Sequence, residues 1–81
     1  MQPSIGRVVL VPMDPATNNG ASVAPAIITR VWTGTSINVQ ILADAPGCAW
    51  RTSLTHVESL DGLDDAHDRL YRWTWPPKVG A

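Results

Sequence analysis

Between Ser36 and Leu42 the chain alternates polar and aliphatic residues without a break, with Ser36, Asn38 and Gln40 on one side and Ile37, Val39 and Ile41 on the other. A side-chain period of two belongs to a pleated strand with one face in a core, and no helix places these residues so cleanly. A half-buried strand needs partners for its backbone groups. The nearest is residues 25–32, where alternation sets Ala26, Ile28, Arg30 and Trp32 on one face and Ile27, Thr29 and Val31 on the other. Thr33-Gly34-Thr35 is the turn between them.

Three further strands are predicted. Residues 5–11 are dominated by Val, Leu and Ile and are closed by Pro12, and residues 49–57 are rich in Thr, Trp and Val, with Trp50, Thr52, Leu54 and His56 sharing a side. Residues 71–75 put Tyr71, Trp73 and Trp75 on one face and Arg72 and Thr74 on the other, and Pro76 and Pro77 end the segment. The stretch 13–22 stacks Asp-Pro and Asn-Gly and reads as a long loop or irregular hairpin that demands no helix. Residues 58–70 have acids early, Arg69 late, and Leu63, Ala66 and Leu70 at helical spacing, which suits one or two turns of helix. The order predicts one mostly-β domain over residues 1–81, a small five-stranded SH3-like or related barrel with one short helical turn before the last strand.

Composition narrows what such a barrel does. At 81 residues, 44% hydrophobic and 16% charged, the chain is a folded domain with room for one core. Its four Trp supply bulk, but it has no disulfide or metal staple, so a homo-oligomer is expected. The net charge of −1 argues against a protein that tracks nucleic-acid backbones. Cys48 is a single cysteine, the start has no signal-peptide pattern, and no apolar run reaches membrane-spanning length. A cytoplasmic protein without membrane contact is the expectation.

The pattern closest to chemistry is the pairing of arginine with tryptophan: Arg30 with Trp32, Trp50 with Arg51, and Arg72 with Trp73 and Trp75. A base stacks on an indole while a guanidinium binds phosphate, and hydroxyl and amide groups such as Asn38, Thr52 and Ser53 suit a ribose. These ten residues are the candidate ligand-binding set. The competing reading is that the tryptophans are core and the arginines pair with surface acids. An aromatic face could equally take a proline-rich segment, and the chain's own Trp75-Pro76-Pro77-Lys78 is one, to be weighed against a frayed terminus.

Other constellations are weaker. Asp64, His67 and Asp68 would face one way on a helix, but a solvated helix start explains them and no calcium-loop spacing is present, so no metal or cofactor is expected. Cys48 with His56 or His67 lacks any local group to activate the thiol, and there is no phosphate loop, paired zinc motif or nucleophile elbow. No enzyme is indicated.

The segments Pro3-Ser4-Ile5-Gly6-Arg7-Val8-Val9, Pro25-Ala26-Ile27-Ile28-Thr29-Arg30-Val31-Trp32, Ile37-Asn38-Val39-Gln40, Trp50-Arg51-Thr52-Ser53 and Trp73-Thr74-Trp75-Pro76-Pro77 together touch about half the chain. In combination they resemble a family of small, uncharacterised bacteriophage-encoded proteins. The chain departs from that pattern at Thr74, where His is expected, and in a stretch 58–72 longer than the usual acidic linker. The resemblance implies a phage origin and expression in the cytoplasm of an infected bacterium, and it transfers no activity. Two functions are then expected to compete. One is a homo-oligomeric, non-enzymatic barrel that sequesters a host-defence nucleotide signal; the other is a virion accessory or a module that binds a host protein.

Overall fold

A computed structural model describes residues 2–77, so Lys78 of the proline-containing tail lies outside the described residues. The elements run β1 (Val8–Pro12), a 3₁₀ turn (Pro15–Thr17), β2 (Val23–Val31), β3 (Ile37–Ile41), β4 (Ala49–His56), α1 (Ala66–Tyr71) and β5 (Arg72–Trp73). The five strands form one sheet in the order β1-β2-β3-β4-β5. β1 to β4 pair antiparallel, and β5 lies parallel to β4 through Thr55 with Arg72 and His56 with Trp73.

One residue later the chain changes partner. Leu10 and Thr74 exchange both backbone bonds, at 2.9 and 3.0 Å, which ties β5 to β1 and brings the sheet round into a nearly closed barrel. Closure removes most of the unpaired strand edge that a five-stranded sheet would otherwise expose. The expected barrel with a short helix before the last strand is the observed architecture.

Among the described residues ten side chains fill the interior: Val9, Val11, Ala24, Ala26, Ile28, Ile37, Val39, Ile41, Leu54 and Trp73. The inward alternation of Ile37, Val39 and Ile41 is as the sequence predicts. Trp73 is fully buried, and its Nε1–H donates to the Thr35 carbonyl at 2.8 Å, so the largest core residue leaves no polar atom unpaired.

Two bulges bend the sheet, and both lie beside Asn38. In β2 the pairing moves from Ile28 with Val39 to Arg30 with Asn38, so Thr29 is the extra residue. In β4 it moves from Val39 with Arg51 to Ile37 with Leu54, inserting one residue around Thr52 and Ser53, and Ser53 takes φ 60°. Simple alternation therefore fails in two places. Beyond the first bulge Val31 packs on the core while Arg30 and Trp32 face out, separated from Ala26 and Ile28. Across the second, Leu54 is inside while Trp50 is exposed.

Smaller departures have local causes. Ile5 and Gly6 form a turn, with Gly6 at φ 92°, so β1 starts later than predicted. Asp14 accepts from the Ala16 amide and caps the 3₁₀ turn in the segment read as loop. Asp65 caps α1 through the His67 amide at 2.7 Å, and the six-residue helix absorbs Tyr71, which alternation places in the last strand. No residue of α1 is buried, so the Leu63, Ala66 and Leu70 spacing does not mark a core face.

Asn38 Oδ1 is the acceptor for three donors, and Asn38→Ala would strand them. Urea denaturation is expected to show a loss of about 2–3 kcal/mol. Asn38→Asp keeps an acceptor oxygen and is expected to lose less than half of that; equal losses would contradict this role.

Candidate functional site

The two bulges fold the outer face of β2, β3 and β4 around the Asn38 amide. Its Oδ1 accepts from the Trp32 indole Nε1–H at 2.9 Å, the Thr52 hydroxyl at 2.7 Å and the Ser53 amide at 3.0 Å. The Ser53 amide is the one that the β4 bulge takes out of the regular ladder, so a side-chain carbonyl replaces a missing backbone partner. Asn38 is on the outward side, as alternation predicts, but only 6% exposed, because Trp32, Thr52 and Ser53 close over it. Its carbonyl oxygen is engaged within the chain.

This anchorage holds the Trp32 ring in place while leaving it 48% exposed. The Arg30 guanidinium lies over the ring, its central carbon 3.9 Å from the centroid, and Arg30 is itself exposed. A cation–π contact of this exposed kind contributes about 0.5–1 kcal/mol, enough to bias the position of the arginine without immobilising it. The hydroxyls of Thr52 and Ser53 lie 3.2 Å apart at the same place. Arg30, Trp32, Asn38, Thr52 and Ser53 thus come together.

Trp50 is on the same outer face, paired with Gln40, and is 59% exposed. Ile27 pairs with Gln40 and Val8 with Ile27, so an outward row runs Val8, Ile27, Gln40, Trp50 across four strands. Leu42 is exposed nearby. None of these outward positions is a carboxylate, whereas all seven acids lie in the loops and α1. The face mixes apolar residues with the uncharged polar groups of Gln40, Thr52 and Ser53, and Arg30 lies on it.

The remaining candidates are placed elsewhere. Arg51 pairs with Val39 on the inward side, and its Nη1 donates to the carbonyls of Pro12 at 3.0 Å and Arg69 at 3.3 Å. Burial strips water from this guanidinium and holds its pKa below the usual arginine value. It stitches β4 to the end of β1 and to α1. Arg72 pairs with Asp68 at 3.0 Å, one helical turn away. Trp73 is core. Trp75 is half-buried, edge-on to Trp73 with centroids 5.0 Å apart, and Arg7 lies over it at 5.5 Å. The ten-residue set therefore divides into a surface cluster with neighbouring Trp50 and four structural positions.

Among the described residues no three His, Cys, Asp or Glu side chains are grouped to hold a metal. Cys48 precedes β4 and His56 ends it, so about 26 Å of extended chain separates the two. No helix of the described residues is long and apolar enough to cross a membrane.

Sequence reasoning overlooked the concave surface. A cleft of about 390 Å³ lies between Leu10, Val23, the 58–61 loop and Trp75, and a second of about 290 Å³ lies across Leu60 beside Met13, Leu63 and Arg69. Both are built by packing a loop against β1, which no local pattern announces. Comparison with protein families, with curated proteins and with solved structures found no match.

The burial pattern has a direct optical consequence. Trp32 and Trp50 are expected to carry most of the iodide-quenchable fluorescence, with a smaller share from half-buried Trp75, so a Trp32→Phe/Trp50→Phe/Trp75→Phe chain should be almost insensitive to iodide. Strong residual quenching would place Trp73 in solvent.

Proposed function

We propose that this protein works by occupancy, as a non-enzymatic, homo-oligomeric binding module that holds a nucleotide signal on the outer face of β2, β3 and β4. The carrying observation is the Arg30 guanidinium stacked on a Trp32 ring that Asn38 fixes and solvent reaches. A fixed, exposed indole is a platform for a base, and a guanidinium beside it suits phosphate, with the Thr52 and Ser53 hydroxyls at hand for a ribose. The absence of carboxylates from this face favours an anionic ligand there. The resemblance to phage proteins gives such binding a purpose: sequestration of a host-defence signal in the cytoplasm of an infected bacterium. Sequestration needs affinity and no transition-state stabilisation.

A second reading is favoured by Trp50, Leu42 and Val8, which continue the exposed surface without any polar group suited to a nucleotide. Tryptophan and arginine dominate protein–protein hot spots, so a host protein or a virion component could dock on the same face.

Titration with cyclic dinucleotides and ADP-ribose-type nucleotides, read by calorimetry and thermal shift, separates the two. Binding by at least one of them is expected, weakened about tenfold or more by Arg30→Ala and by Trp32→Ala. Arg72→Ala should leave it within about twofold. No binding and no thermal shift with any of these nucleotides would overturn the nucleotide reading and leave the protein partner.

A further inference from the structure

We propose that the cleft beside Trp75 binds an aliphatic polyamine. This site is separate from the Arg30–Trp32 face and does not rest on its function. The cleft encloses about 390 Å³, within the range of small-ligand sites. Leu10, Val23, Leu60 and Trp75 line it together with the acidic residues Glu58 and Asp61, both exposed to solvent. Apolar residues accept methylene chains, and carboxylates accept ammonium groups.

Three observations make the match more specific than a collection of acids. Among the described residues neither the Glu58 nor the Asp61 carboxylate has an ion-pair partner, so both charges remain available to a ligand. The start of the segment carrying them is tied to the barrel, with Val57 donating to the Trp73 carbonyl at 2.9 Å and the Thr74 hydroxyl donating to the Glu58 carbonyl at 3.4 Å, and within the segment the Asp61 amide donates to the Ser59 hydroxyl at 3.1 Å. Trp75 is set in turn by its edge-on packing against the buried Trp73. Two acidic residues on the lining of one largely apolar cleft suit a flexible chain with ammonium groups along its length. A single metal ion would find no third ligand here among the described residues.

Spermidine titration of the full chain, followed by tryptophan fluorescence and calorimetry at physiological salt, tests the assignment. Saturable binding is expected, weakened about tenfold or more by the pair Glu58→Gln and Asp61→Asn. Asp64→Asn, which removes a like charge outside this cleft, should change it less than about twofold. Trp75→Leu should weaken binding and abolish most of the fluorescence response. Retention of the fluorescence of Trp73 and of a cooperative melt reports that each variant is folded. No saturable binding to the unaltered chain, or equal effects of the Glu58/Asp61 pair and of Asp64→Asn, would overturn the proposal. Because the readout is spermidine and the variants avoid Arg30 and Trp32, failure here leaves the nucleotide reading untouched, and the reverse also holds.

Discussion

The acceptor oxygen of Asn38 is the point on which the bent sheet depends. A barrel of five short strands must curve sharply, and this one does so by bulging β2 and β4 on either side of β3. Each bulge interrupts a ladder, and an unpaired amide costs about as much as a lost hydrogen bond. The Ser53 amide, held at a positive φ that a non-glycine residue adopts at some cost, is satisfied by Asn38. The same oxygen takes the Thr52 hydroxyl and the Trp32 indole, so the interaction that permits curvature also fixes the aromatic surface.

Closure depends on a second, complementary feature. β5 is only two residues long, yet it pairs with β4 and passes directly to β1 through Thr74. Trp73 sits where the three meet, buried and bonded to the Thr35 carbonyl in the turn between β2 and β3. One indole thus plugs the barrel from the closing strand. Arg51 adds a polar tie from β4 to Pro12 and Arg69, so the half-enclosed guanidinium is bonded to backbone carbonyls, with no ion pair among the described residues.

The strands were legible in the sequence because period-two alternation and turn residues are local signals. The alternation in Ile37, Val39 and Ile41 led directly to the core. It misassigned Arg30, Val31 and Trp32 relative to Ala26 and Ile28, and Leu54 relative to Trp50, because a bulge inserts one residue and flips everything beyond it, and neither Thr29 nor Ser53 advertises that insertion. The candidate site was half legible. Residue type brought forward every arginine and tryptophan in the surface cluster, but type cannot tell Trp32 from Trp73, which differ in whether the chain closes over them. The clefts near Leu60 were invisible since they arise between segments far apart in sequence. Asn18, buried and bonded to Ala21, Val23 and Asp44, was likewise unremarkable among the turn formers around it.

Amide and indole hydrogen exchange by NMR examines the Asn38 junction most directly. The Trp32 indole N–H and the Ser53 backbone N–H are expected to exchange slowly and together in the native chain, and both to become fast when Asn38 is replaced by Ala, while the exposed Trp50 indole is fast throughout. A Trp32 indole that exchanges as freely as that of Trp50 in the unaltered protein would contradict the account, for then nothing would link the curvature of the sheet to the surface it presents.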